Sequence, residues 1–223
     1  MAPVAVGNRS VYQGLRYTDL FPRARAGRTL CAVVHATTPT PRQRLIDAAA
    51  DLFYRHGIGA VGVDLVSETA GVSKRTLYRE FGSKDQLVAQ SLDATGPEII
   101  SLWLPPDTAS EWPPRRQILT VFERLGAWTS AESFRGCPFI NTACELADPG
   151  HPARRVALGY KRGLRDYFAD RGARAGASDP TGLAEQLITV FDGLIVQAVM
   201  GIEVRADTVQ AMVRALLDAQ GAR

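Results

Sequence analysis

A chain of 223 residues, 46% of them hydrophobic, can bury a sizeable core, and a formal net charge of +3 is too small by itself to mark a polyanion partner. Its three cysteines, at 31, 137 and 144, lack both the pair spacing of a zinc site and the even count of a disulfide framework, so no metal and no cofactor is expected and a reducing cytoplasm fits best. The longest uncharged run of the apolar C-terminal region, Gly193 to Ile202, falls short of the roughly 18 residues of a membrane span, and Leu30 to Val34 is too short for a signal-peptide core; neither insertion nor export is expected.

Residues 1–38 carry five Arg against one Asp without a 2.0 or 3.6 period, and read as a mostly disordered extension. It is either an inert tail or a basic arm for DNA; Val33 and Val34 mark a possible later start. Order begins at "TPRQRLIDAAADLFYRHG". Thr40 caps a helix, Pro41 takes its first position and Gln43 completes a capping box. Leu45, Ala49, Leu52 and Phe53 share one face, and Gly57 is the stop. Val63, Val66 and Ala70 form a short second helix with Gly62 as a weak cap and Gly71 as its end. Ser73 caps a third, whose inner face is Leu77 and Phe81, and Ser83 with Gln86 opens a fourth, "SKDQLVAQSLD". Further helices are expected near 115–133, 138–147, 152–171, 180–201 and 207–220, and no run of period 2 competes with them. The fold class is therefore all-α: an extension over 1–38, a small helix-turn-helix domain over 39–92 and a larger helical domain over 93–223.

The two short helices joined by Gly71-Val72-Ser73 have the length and chemistry of a helix-turn-helix. With Leu77 and Phe81 inward, Lys74, Arg75, Thr76, Tyr78 and Arg79 face outward, as a helix in a major groove requires. Arg forks onto guanine, Thr or Tyr meets a thymine methyl or a phosphate, and Lys neutralises phosphate. Lys84, beside the Ser83 cap, adds a cation at a helix N-terminus.

From Thr40 to Leu92 the order "LFYRHG", "VDLVSETAGVSKRTLYREF", "GSKDQL" resembles the DNA-binding domain of the TetR family of bacterial transcriptional regulators. The resemblance implies a homodimer that binds a palindromic double-stranded DNA operator, usually as a repressor released by a small-molecule effector. It puts the recognition helix on Ser73 to Phe81, with Ser73, Lys74, Arg75, Thr76, Tyr78 and Arg79 as DNA-binding residues and Lys84 as a backbone contact. Gly62 departs from the Thr or Ser common at the second helix's cap, and Arg75 stands where a small residue is frequent.

In the larger domain, "AEQLITVFDGLIVQAVMG" is apolar on nearly every side and needs neighbours all round. By resemblance to similar regulators the last two helices form a four-helix bundle across the dimer, with Leu187, Phe191, Leu194, Ile195, Met212 and Leu216 at the interface. The resemblance also implies an apolar pocket for a small apolar ligand, lined from an aromatic zone by Phe122, Trp128, Phe139, Tyr160 and Tyr167, with Asn141 or His151 to orient the ligand. Cys137, before Pro138 at a helix start and near Arg135, carries an alternative: a redox or electrophile sensor with a favoured thiolate. Cys144, seven residues on, is about 10 Å away along a helix and out of reach of a bond. An enzyme is not expected: Cys137 with His151, or His56 with Asp51, are the only beginnings of a catalytic set, and there is no Gly-rich phosphate loop or HExxH. A bare helical interaction module remains a third reading, and salt dependence separates it from phosphate binding.

Overall fold

The structure is a computed structural model that describes residues 39–106 and 109–223. The extension, with its expected disorder, DNA arm, later start and Cys31, lies outside them. The described residues form nine helices and no strand: α1 Pro41–His56, α2 Val63–Ala70, α3 Lys74–Phe81, α4 Lys84–Ser101, α5 Pro114–Thr129, α6 Pro138–Glu145, α7 Pro152–Arg174, α8 Pro180–Val199 and α9 Ala206–Ala219.

The start signals work through hydrogen bonds. Thr40 Oγ1 accepts the Gln43 N–H at 3.1 Å and Ser83 Oγ that of Gln86 at 3.1 Å, each satisfying a donor that a helix N-terminus leaves unpaired. The first capping box is only half made, because the Gln43 side chain turns forward, its amide donating to Asp47 at 2.8 Å, instead of back to accept the Thr40 N–H. At the other end of α2, Gly71 is left-handed at φ 61°. The Gly71 N–H reaches Glu68 O and the Val72 N–H reaches Ser67 O, which closes the helix and turns the chain into α3.

Two hydrophobic cores result. Leu45, Ile46, Leu52, Val66, Leu77, Phe81 and Leu87 fill the head; Trp103, Phe122, Trp128, Phe139, Phe168 and Phe191 fill the body. Helix α4 belongs to both. Its Ala89 closes the head core and its Leu92, one turn on, opens the body core, so the boundary expected at 92–93 falls inside an unbroken helix. Ala153 of α7 also packs into the head core.

Helix α4 continues through Gly96-Pro97. Proline has no N–H to give the carbonyl of Asp93, four residues back, and the Tyr160 hydroxyl of α7 donates to that oxygen at 3.0 Å. Position 96 must be glycine for this: a Cβ there would stand 2.2 Å from the Tyr160 ring.

Helix α8 corrects one expectation. Leu183, Ala184, Leu187, Phe191 and Ile195 are buried, whereas Glu185, Gln186, Thr189, Val196 and Val199 are exposed; the helix has one inner face within its own protomer. Leu187, Phe191 and Ile195 are at most 1% exposed, enclosed by their own chain and beyond a partner's reach. By length and mean hydropathy of 1.3 α8 meets the requirement of a membrane span, but its buried side chains are part of the body core.

Candidate nucleic-acid interface

Helix α3 stands on two anchors, Leu77 at 0% and Phe81 at 4% exposure, and both pack among α1, α2 and α4. Its N-terminus is fixed by Ser73, whose Oγ accepts the Thr76 N–H at 3.2 Å and pairs with Thr76 Oγ1 at 3.0 Å. Lys74, Arg75, Tyr78 and Arg79 are exposed and Thr76 is half-buried, so all five reach the outer side. They are not equally free. Lys74 is held by Asp64 of α2 at 2.5 Å, which pushes its pKa up, and Arg79 leans on Glu80 at 3.0 Å. Arg75 and Tyr78 have no polar partner among the described residues.

Lys84 is directed inward. Its ammonium donates to Ile58 O at 2.7 Å and lies 6.0 Å from the centre of the Phe53 ring, leaving two of its three donors for an anion. Two arginines that the periodicity argument passed over support α3 from behind. Arg44 donates from Nε to Ala70 O at 3.1 Å, tying α1 to the end of α2, and Arg42 sits over the Phe81 ring at 5.3 Å while donating to Gln90 at 2.6 Å.

A cavity of about 780 Å³ opens where head meets body, lined by Asp47, Asp51 and Tyr54 of α1, Glu98 of α4 and Leu102 just after it, Trp128 of α5, and Asn141 and Glu145 of α6. Of the six residues expected to hold an effector only Trp128 and Asn141 reach it. The other four are committed to packing. Phe122 stacks on Phe168 at 5.8 Å and Phe139 on Tyr160 at 4.7 Å. Tyr167 meets Phe168 edge-on at 5.9 Å beneath the Arg171 guanidinium. His151, the alternative orienting group, instead caps α7 by accepting the Ala153 N–H at 3.1 Å, with Nε2 3.4 Å from Asp85 of the head. Glu98 escaped the sequence reading because its neighbours come from distant segments.

Both ends of α6 clasp the C-terminus of α1. Glu145 Oε2 accepts the N–H groups of Ile58 and Gly59 at 2.6 and 3.2 Å. At the opposite end the Tyr54 hydroxyl donates to Gly136 O at 3.1 Å and accepts the Arg135 N–H at 2.8 Å, while burial raises its pKa. The structure reverses the thiolate expectation. Cys137 is 1% exposed, and burial pushes its thiol up more than Lys161 and the Ile140 and Phe139 amides draw it down. The Arg135 guanidinium is turned to the Arg55 carbonyl. Among the described residues no group of three or more His, Cys, Asp or Glu could hold a metal ion.

Residues 45–90 match the family described as bacterial regulatory proteins, tetR family. A TetR-type transcriptional regulator of Streptomyces avermitilis MA-4680, sav143, is 41% identical, with 83% of this chain and 100% of that one covered and a TM-score of 0.78. The HTH-type transcriptional regulator TtgR of Pseudomonas putida is 26% identical over 166 residues, 69% of this chain and 78% of TtgR. The fold also matches CifR, a TetR-family regulator whose structure holds a 26-bp operator duplex, at 23% identity and a TM-score of 0.61, with 78% of this chain and 94% of that one covered. With the exposed α3, the two-core fold and full coverage of a 41%-identical relative, the chain belongs to the TetR family: it is a DNA-binding transcriptional regulator.

Proposed function

We propose that the protein binds a palindromic operator as a homodimer, represses transcription from it in the cytoplasm and lets go when a small molecule enters the head–body cavity. The observation that carries this reading is α3 itself, which stands on Leu77 and Phe81 and turns Lys74, Arg75, Thr76, Tyr78 and Arg79 outward. In it Arg75 and Tyr78 meet base edges or phosphates, Ser73, Thr76 and Arg79 flank them, and Lys84 grips the backbone with its remaining donors. CifR's operator complex supports the same docking by shared fold.

Dimerisation is supported by the surface of the last two helices. Of the eight large hydrophobic side chains that stand exposed among the described residues, five lie between residues 196 and 212: Val196, Val199, Met200, Ile202 and Met212. Such a patch on one protomer is a contact surface, and a closed two-fold dimer is the commonest way to cover one. Leu194 and Leu216, half-buried, join it. The thiol-sensing alternative has no support from the burial of Cys137.

Selection of bound fragments from sheared genomic DNA by the purified protein, followed by sequencing, tests the proposal. An enriched palindrome is expected, with half-sites about one helical turn apart or a multiple of it. A folded protein that enriches nothing, or that holds DNA without steep loss of affinity as salt rises, would overturn it.

A further inference from the structure

We propose that the cavity between α1, α4, α5 and α6 binds a lipophilic organic cation, with its charge on the Glu98 carboxylate and its apolar body against Trp128. The inference rests on the ligand-released regulator proposed above and replaces the small apolar ligand expected from the sequence with a charged one.

At about 780 Å³ the space suits a small molecule. Leu102, Ile99 and Trp128 give it apolar wall; the indole is fixed by Trp103 at 5.0 Å and Phe134 at 4.9 Å. Four carboxylates line it, Asp47, Asp51, Glu98 and Glu145, against Arg55 and His56. Three already have donors. Asp51 takes the Arg55 guanidinium at 2.7 Å, Asp47 the Gln43 amide and Glu145 the Ile58 and Gly59 amides. Glu98 is half-buried with neither a cation nor a hydrogen-bond donor for its carboxylate among the described residues.

A carboxylate drawn partly out of water without a partner is costly. Burial, with Asp47 nearby, raises the Glu98 pKa accordingly. No described residue supplies the missing counter-charge, whereas a cationic ligand supplies it and gains from the other acids too. An anion of the same shape would meet net negative charge, and a neutral molecule would leave Glu98 desolvated and unpaired. A cation near Glu145 also competes with the two amides that clasp α1, which links occupancy to the head.

Tetraphenylphosphonium and tetraphenylborate, alike in shape and opposite in charge, test this by titration calorimetry on the full chain. The phosphonium is expected to bind at least about tenfold more tightly than the borate. Glu98→Gln should cost the phosphonium about tenfold while sparing the borate, and Glu98→Asp should keep the preference; thermal melts of each variant show that it is folded. Absent phosphonium binding, equal affinity for the two ions or indifference to Glu98→Gln overturns the cation site. Anisotropy of a labelled operator fragment in the same titrations reads the regulator separately: operator held with phosphonium bound sinks ligand release but leaves the cation site standing. Operator binding that persists while the phosphonium fails to bind sinks the cation site alone.

Discussion

Asp64 restrains a residue that would otherwise search for phosphate. Lys74 and Asp64 are both exposed, with side-chain exposures of 52% and 76%, and a pair so solvated adds little to stability. Its consequence lies in binding, because the carboxylate neutralises Lys74 and stands beside the surface proposed to meet DNA. Asp64→Asn should tighten binding to all sequences alike and steepen the log–log salt dependence by up to about 0.9, one further phosphate contact; anisotropy titrations at several salt concentrations measure it. Glu98 gives a second residue-scale test. Its folded pKa is raised above the ordinary value by burial and, less, by Asp47, so the folded chain holds that proton more tightly than the unfolded one. Stability from this carboxyl is full in acid and is lost as pH rises through the raised value. Glu98→Gln should therefore raise Tm at pH 7, with the gain shrinking as pH falls toward the unfolded carboxyl range; a gain that grows in acid would contradict the assignment.

Among the elements, those of the head were legible because their signals are local. Thr40, Pro41, Gly57, Gly71, Ser73 and Ser83 each act within four residues, so caps and stops fixed α1 to α3 and the start of α4 to within a residue. The continuity of α4 beyond "SKDQLVAQSLD" was not legible, since the donor that replaces the missing Pro97 N–H comes from Tyr160, sixty-three residues on. Nor was the cavity, whose walls come from four separated helices. The inner face of α8 could not be told from its outer one, because Leu187 and Val196 look alike in sequence while one is buried and the other exposed. Tyr160→Phe tests the α4 junction: it leaves the Asp93 carbonyl, on an exposed stretch of α4, without the donor that replaces Pro97, which should cost roughly 0.5–1.5 kcal/mol. Denaturant unfolding measures the loss, and hydrogen exchange should show it first along α4. No loss would mean that water replaces the hydroxyl.

For the whole molecule, the arrangement of two cores on one helix would make assembly and DNA binding interdependent in the proposed dimer. The head is fixed to the body through α4 and through the contacts of Glu145, Tyr54 and His151, so the separation of two heads is set by how two bodies meet. A stable interface buries about 800 Å² per partner with an apolar centre, and in the proposed dimer the exposed apolar side chains from Val196 to Met212 would be that centre. Val199, 57% exposed, tolerates a charge in the isolated protomer, whereas a partner pressed against it would have to desolvate that charge. Val199→Glu should therefore leave helicity unchanged by circular dichroism, shift the mass by light scattering from dimer to monomer, and weaken operator binding far more than binding to a single half-site. A variant that stays dimeric would move the interface off α8 and α9, and with it the expected half-site spacing.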